Sequence, residues 1–277
     1  MSALTTTRAE LRRRIGRRLS DVTALTATAN GNTTTFVDTI KLATSIENAK
    51  GREIVFTSGT NAGLVRRITD ANMTTGTLTF AAVTASTAAG DTAEIYNFRL
   101  KGWPVDEYND AINDAIDTAW PLFGTRVSVN ASATFDSDSA TIDVPAGIDQ
   151  LESLTYSDSD GILHEITQAP TRFDAGWSVA ADGTTIHVRG RRWLCNLDGM
   201  SVQLHGYARS ARLDADTDDT DIPPEWLVYS ACEILCMSAV ERDSNNYNRG
   251  LLFREKADKA RESIRTRRKG RPVMVTP

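Results

Sequence analysis

The stretch PVDEYNDAINDAIDTAW at residues 104–120 decides the fold class, because it is the clearest helix of the chain. Pro104 suits the first helical position, and Asp106 and Glu107 favour the positive end of the helix dipole. A single apolar stripe follows at helical spacing, made of Tyr108, Ile112, Ala115, Ile116, Ala119 and Trp120. Such a stripe must be buried, so we expect this helix to contribute to a core.

The sequence on both sides of this helix has a pattern that is typical of β-strands. Short apolar runs are separated by Gly, Asn, Asp and Ser, which are typical of turns. The predicted strands before the helix are Glu53–Phe56, Val65–Thr69, Thr77–Phe80 and Ala93–Phe98. Those after it are Arg126–Phe135, Ala140–Val144, Leu151–Tyr156, Ile162–Gln168, Thr184–Arg189 and Ser201–Ala208. Consecutive strands without helices between them favour an antiparallel meander.

Helices are also predicted at both ends. Thr7 and Glu10 have capping-box spacing, and the amphipathic helix they begin is predicted to carry five arginines on its polar face: Arg12, Arg13, Arg14, Arg17 and Arg18. Near the other end, Pro223 and Pro224 begin an apolar helix that Asp221 is expected to cap. A second helix carries an apolar face of Leu252, Phe253, Ala257, Ala260 and Ile264, so the two resemble a helical hairpin.

These elements predict an α+β protein. We expect a helical bundle of the N-terminal, middle and C-terminal helices, carrying an antiparallel β-sandwich insertion and a small N-terminal β-barrel module. The expected division is a basic amphipathic helix at 1–25, a β-module at 26–100, a helical core at 101–124 and 213–270, a β-sandwich at 125–212 and an extended tail at 271–277.

Charge is distributed unevenly along the chain. Residues 1–25 carry six basic and two acidic side chains, residues 249–277 carry ten and three, and residues 104–224 carry seven and 21. The ends are therefore basic and the middle acidic, and an acidic body disfavours wrapping of nucleic acid. The absence of a long apolar run or a secretory signal predicts a cytosolic origin without membrane contact.

Motifs of enzymes and cofactor sites are absent from the sequence. His164, His187 and His205 are isolated from ligand-type neighbours, and Cys195, Cys232 and Cys236 are too few for a disulfide framework, so the chain is predicted to be no enzyme and to hold no cofactor. The loop Asp214–Asp221 imitates an EF-hand, but Asp219 stands where that loop needs glycine. Two interpretations of this loop stay open from the sequence: a solvated loop and a cation site.

Two basic clusters are candidate contact surfaces. One is the arginine set of the N-terminal helix. The other is the C-terminal segment with its adjoining apolar residues: Arg265, Arg267, Arg268, Lys269, Arg271, Val273, Met274 and Val275. A protein interface, DNA contact and a plain solvated surface are the three interpretations, and no recognition-helix motif favours DNA.

Three features in order carry a resemblance to phage proteins. The block GREIVFTSGTNAG at 51–63 resembles a small β-module that is frequent in phage structural proteins. The other two are the helix pattern YNDAINDAID at 108–117 and the β-region that ends in DIPPEW at 221–226 before the terminal helices. This order of helix, β-insertion, Ile-Pro and helical hairpin is similar to the head-tail adaptor (connector) proteins of tailed bacteriophages, the portal adaptor group that includes tail tubular protein A. Residues 26–98 depart from the plainest members of that group. The resemblance covers roughly residues 104–270.

The resemblance implies a structural virion protein at the head-tail junction, made in the host cytoplasm. It would form a homo-oligomeric ring, a dodecamer, with the portal protein on one side and the next tail component (stopper, tube or nozzle) on the other. DNA would pass through the channel during ejection, without sequence-specific contacts. The C-terminal cluster would bind the portal.

Two alternatives are open from the sequence. A tail-tube or receptor-binding β-rich virion protein would use exposed aromatic side chains on a β-face. A virion hydrolase would use carboxylates of the loop that contains Asp214, Asp216 and Asp218.

Overall fold

The structure is a computed structural model of the 277-residue chain. It describes residues 5–42, 49–96, 102–131, 134–158, 160–168, 175–180, 183–190, 195, 197–241 and 243–267. The chain divides into two compact units. The first comprises Met1–Thr118 with Ala211–Pro277, and the second comprises Ala119–Ser210.

The predicted fold class is wrong. The described residues form four helices and 16 strands in four sheets, so the chain is β-rich and has neither a helical bundle that carries a β-sandwich nor a closed barrel. The prediction failed because an apolar stripe shows that a helix is buried without showing what covers it. Tyr108, on the stripe at 104–120, packs edge-to-face on Tyr96 of a strand with ring centroids 5.3 Å apart.

The main sheet of the first unit is open and has seven antiparallel strands. They are β2 Thr23–Thr26, β3 Ala29–Asn32, β4 Thr35–Val37, β5 Glu53–Phe56, β6 Val65–Asn72, β7 Thr77–Phe80 and β8 Thr92–Tyr96. Their order is β2-β8-β5-β6-β7-β4-β3, so β2 and β3 are the edges. A separate two-stranded pair joins β1, Thr6–Thr7, to β16, Asp219–Thr220. The bounds of β5 and β7 agree with the prediction.

Alternating side chains give this sheet its core. In β7, Leu78 and Phe80 are buried, and the alternating Thr77 and Thr79 are not. Phe56 packs edge-to-face on Phe36 and on Phe80, at 6.3 and 5.4 Å between centroids. Gly76 has φ +63°, and a Cβ there would lie 2.5 Å from the carbonyl oxygen of Asp38, so the turn before β7 requires glycine.

The four described helices belong to the first unit. They are α1 Arg8–Leu19, α2 Val105–Ala119, α3 Pro224–Ser238 and α4 Asn245–Arg267. The predicted pairing of the last two is confirmed, since Tyr229 of α3 stacks on Phe253 of α4. Leu252 of the expected apolar face is exposed. Asp221 is not the cap of α3, because the N-cap residue is Pro223 and no side chain makes a cap hydrogen bond.

The second unit has two antiparallel sheets. Its strands are β9 Thr125–Asn130, β10 Thr141–Asp143, β11 Gln150–Ser157, β12 Leu163–Ile166, β13 Gly176–Val179, β14 Thr185–Arg189 and β15 Val202–Ala208. The sheet orders are β12-β11-β15-β9 and β10-β14-β13. The antiparallel pairing was predicted correctly. The predicted meander, in which strands pair in the order of the sequence, is wrong because β15 lies between β11 and β9. Strand β13 was not predicted.

One hydrophobic core serves both sheets of the second unit. It includes Leu154 and Leu204 from the four-stranded sheet and Trp177 and Ile186 from the three-stranded sheet. The indole Nε1 of Trp177 donates a hydrogen bond to the carbonyl oxygen of Ile166 at 2.9 Å, so its polar atom is satisfied inside the core. The core therefore holds the two sheets of this unit together.

We expect Leu204→Ala to lower the free energy of unfolding of the second unit by about 2–5 kcal/mol, because it leaves a cavity in this core. The control is Ile162→Ala, at a side chain that is 57% exposed, for which the expected change is within about 0.5 kcal/mol. Urea denaturation followed by tryptophan fluorescence measures both. Equal losses for the two variants would contradict the assigned core.

Candidate partner-binding surface

Local sequence fixes the ends and the close packing of α1. The Thr7 hydroxyl accepts a hydrogen bond from the backbone N–H of Glu10 at 3.3 Å, which is half of the predicted capping box. Ser20 ends the helix in the left-handed conformation. Gly16 allows a close approach, since a Cβ there would lie 2.9 Å from Cβ of Val22. The helix is thus positioned tightly at both ends.

Arg12 is buried, although it was predicted on the polar face of α1. Its side chain is 2% exposed and donates to the two carboxylate oxygens of Asp216 at 2.8 and 2.6 Å and to Oδ1 of Asn109 at 3.0 Å. Its guanidinium also lies over the ring of Tyr96, 5.8 Å from the centroid. At about 100° per residue, position 12 lies only about 20° from Leu19, at the border of the arc of Leu11, Ile15 and Leu19, and this closeness could have revealed its burial.

The loop Asp214–Asp221, which we call the aspartate loop, supplies the negative charge that pairs with the arginines of α1. Asp216 also contacts Arg8, with 3.1 Å between Nη2 and Oδ1. Burial opposes ionisation of Asp216, but hydrogen bonds and charge from Arg12 and Arg8 outweigh it and lower the pKa of this carboxyl below its ordinary 3.8. The loop is therefore held against α1 by an ionised carboxylate.

Arg13 faces a carboxylate that is buried. It forms an ion pair with Glu94 of β8, whose other carboxylate oxygen accepts from the Tyr96 hydroxyl at 2.9 Å. Glu94 is buried. The pKa of Tyr96 is raised, first because Tyr96 itself is buried and second because Glu94 is negatively charged. Arg12 and Arg13 thus neutralise carboxylates of their own chain, and the two guanidinium groups join α1 to the loop and to the sheet.

The other three arginines of α1 are exposed. Arg14, Arg17 and Arg18 line a cavity of about 510 Å³ together with four residues of α3: Pro224, Glu225, Val228 and Tyr229. The Arg18 guanidinium lies over the Tyr229 ring, 5.4 Å from its centroid, and Arg14 pairs with Glu10 at 3.0 Å. We call this cavity the arginine groove. Three cations over an apolar floor suit a partner with both carboxylate and apolar side chains.

The second predicted contact cluster is described only in part. Arg265 and Arg267 lie in the last turns of α4. The remaining residues of the cluster, namely Arg268, Lys269, Arg271, Val273, Met274 and Val275, lie outside the described residues. Their role in a portal contact stays a prediction.

Two carboxylates of the aspartate loop, those of Asp216 and Asp218, are used within the chain. Asp218 accepts from the backbone N–H groups of Asp214 and Ala215 at 2.8 and 2.7 Å, and Asp216 pairs with arginines. Among the residues that the structure describes, no group of three His, Cys, Asp or Glu side chains is arranged to hold a metal ion. The geometry gives this loop a structural role, which is to hold α1.

His205 has local partners, and two of the three cysteines, Cys232 and Cys236, are buried. The two ring nitrogens of His205 lie 2.8 Å from the hydroxyls of Ser128 and Thr155. Burial raises the pKa of the Cys232 thiol, and it raises that of Cys236 to about 11. Such thiols are protonated at neutral pH and are weak nucleophiles.

Comparison with known proteins identifies the family. The family model described as SU10 adaptor protein matches residues 73–276, which is well over half of the chain. The chain belongs to the SU10 adaptor protein family. A search of curated proteins found no match. The SU10 adaptor family is a family of phage structural proteins, so the prediction of a phage adaptor is confirmed at this level. The narrower assignment to the tail tubular protein A group is not confirmed.

Within the described residues, none of the helices combines the length and the apolar character that crossing a membrane requires. The match places this SU10 adaptor among virion components and indicates a structural role.

We expect Asp216→Asn to lower the free energy of unfolding by about 3–5 kcal/mol, because Arg12 would remain buried without a countercharge. The matched control is Glu255→Gln, which removes the same charge from an exposed pair with Lys259 and should cost about 0–1 kcal/mol. Chemical denaturation of both variants measures the difference. Losses of the same size would show that the Arg12–Asp216 pair does not hold α1.

The same pair predicts a pH dependence. Since the pKa of Asp216 is lowered in the folded protein, its charge stabilises the fold at pH values above 3.8, its ordinary value. This contribution is lost as the pH falls further and the folded carboxylate takes up a proton. The gap in unfolding free energy between wild type and Asp216→Asn should therefore narrow below that pH. A gap that is constant from pH 7 to pH 3 in urea titrations would contradict the lowered pKa.

Proposed function

We propose that this chain is the head-tail adaptor of a tailed phage: a dodecameric ring seated between the portal and the next tail component, with a channel for DNA. The observation that carries this proposal is the match of the SU10 adaptor family to residues 73–276. A ring requires each copy to contact two neighbours through different surfaces. The chain offers several exposed surfaces for such contacts.

Charge on α2 supports a channel that does not retain DNA. Asp106, Asp110, Asp114 and Asp117 are all exposed and follow one another at intervals of three or four residues, so they lie along one face of the helix. Arg212 offsets part of this charge, with contacts of 3.6 and 2.5 Å to Asp114 and Asp117. A carboxylate-lined surface repels phosphates, and DNA can slide past it.

The helical hairpin and the segment after it are the proposed portal contact. On α4, Tyr247, Leu251 and Leu252 are exposed, and clustered exposed apolar side chains are typical of contact surfaces. The basic segment from Arg265 to Arg271 would guide association, and Val273, Met274 and Val275 would supply apolar anchors in an extended peptide.

Electron microscopy of the purified chain mixed with the portal of the same phage tests the ring. The expected result is an added ring density on the tail side of the portal. Chains that stay monomeric and leave the portal bare would refute the proposed function.

Deletion of residues 271–277 should leave the fold intact and weaken portal binding at least tenfold, about 1.4 kcal/mol, because the apolar anchors are lost. Binding is measured by co-sedimentation with portal rings, and folding by circular dichroism. Thr276→Ser is the matched control within the same segment and should bind as wild type. Undiminished binding after the deletion would exclude this segment as the portal contact.

A further inference from the structure

We propose that the arginine groove receives the tip of the β11–β12 hairpin from a neighbouring copy of the chain. This contact would be a subunit interface of the ring, and it therefore rests on the proposed function. Groove and tip are different surfaces of the same chain, so the contact is head-to-tail, as ring closure requires.

The hairpin tip presents apolar side chains to solvent. Ile162 is 57% exposed and Leu163 is 67% exposed, which makes them two of the three most exposed large apolar side chains among the described residues. They are neighbours in sequence, and Leu163 is the first residue of β12, opposite Ser157 of β11. Adjacent exposed apolar side chains at a turn are typical of a contact surface.

Hydrogen bonds within one chain hold the described residues of the tip. The Asp158 carboxylate accepts from the backbone N–H groups of Asp160 and Ile162 at 3.0 and 2.9 Å, and it pairs with His164 at 2.6 Å. The His164 ring stacks on Tyr156, with 5.1 Å between centroids. A surface already held in one conformation loses little entropy on association, which strengthens binding.

The charge of the tip complements that of the arginine groove. Asp160 and Glu165 are exposed carboxylates on either side of the apolar pair. Arg14, Arg17 and Arg18 line the groove, and among the described residues that line it Glu225 is the one that is acidic. The guanidinium of Arg17 is exposed and makes no hydrogen bond or ion pair with the described residues, so it is available to a carboxylate.

The interior of the groove suits side chains such as Ile and Leu. Its floor is formed by Pro224, Val228 and Tyr229, and its volume is about 510 Å³. This size lies within the range of about 300–1,000 Å³ that is typical of binding cavities. An apolar centre with a charged rim is also the usual arrangement of a protein interface.

The acidic face of α2 is the other candidate for the groove, and it is the weaker one. It offers carboxylates but no exposed large apolar side chain for the floor. Exposed ion pairs alone contribute only about 0–1 kcal/mol each. The hairpin tip adds burial of apolar surface, so it is the favoured occupant.

Directed cross-linking tests the contact. Two forms of the full chain with tags of different size are mixed, one with Leu163→Cys and the other with Glu225→Cys, both in a Cys195→Ser background because Cys195 is exposed. We expect a disulfide-linked heterodimer on a non-reducing gel under conditions in which the chain assembles. Val179→Cys replaces Leu163→Cys in the control, since Val179 is also exposed in the second unit, and it should give no heterodimer.

A charge exchange identifies the occupant independently. Arg17→Glu with Arg18→Glu should weaken self-assembly at least tenfold in sedimentation velocity experiments. Adding Asp160→Lys and Glu165→Lys to the same chain should restore assembly, because the ion pairs are re-formed with opposite signs. Adding Asp110→Lys and Asp114→Lys should not restore it. All of these residues are exposed, and circular dichroism checks that each variant is folded.

The outcomes separate this inference from the proposed function. Wild-type rings on the portal, with no Leu163–Glu225 cross-link and with unaffected assembly of the arginine variants, would overturn the inference and leave the adaptor function standing. Assembly restored by Asp110→Lys and Asp114→Lys on α2 would also overturn the inference. A wild-type chain that never assembles, alone or on the portal, would contradict both.

Discussion

The ion pair between Arg12 and Asp216 is the interaction on which the rest of the first unit depends. It joins residues 204 positions apart in the chain and is made by a guanidinium that is almost fully buried. Because a buried cation is costly without a countercharge, α1 and the aspartate loop must dock together or not at all. The aspartate loop leads directly into α3, and residues of α1 and α3 line the arginine groove.

Two buried carboxylates extend this arrangement to the sheet and to α2. Glu94 pairs with Arg13, and Asp21 accepts from the Tyr108 hydroxyl at 2.8 Å and from the backbone N–H of Trp103 at 3.2 Å. The indole of Trp103 in turn donates to the carbonyl oxygen of Leu235 in α3. Polar groups with defined partners fix orientation in a way that apolar packing alone does not, so the helices and the sheet of this unit have one mutual arrangement.

Sequence reasoning predicted the elements better than their assembly. Strands β5 and β7 and the helix after Pro104 follow from local periodicity, and the structure has them. The order of the sheets, the fold class and the burial of Arg12 depend on contacts between distant residues, which local patterns do not contain. The three exposed arginines were found from sequence, whereas the residues of α3 that complete the groove were missed, because only tertiary structure brings them to α1.

The long separation of Arg12 and Asp216 also has a consequence for the timing of folding. Chains fold as they leave the ribosome, with the N-terminal part first. Helix α1 is made early, but the carboxylate and the helix that cover it, Asp216 and α3, emerge only after some two hundred further residues. A truncated or half-synthesised chain therefore lacks the groove altogether, and only a complete subunit can present it to another copy.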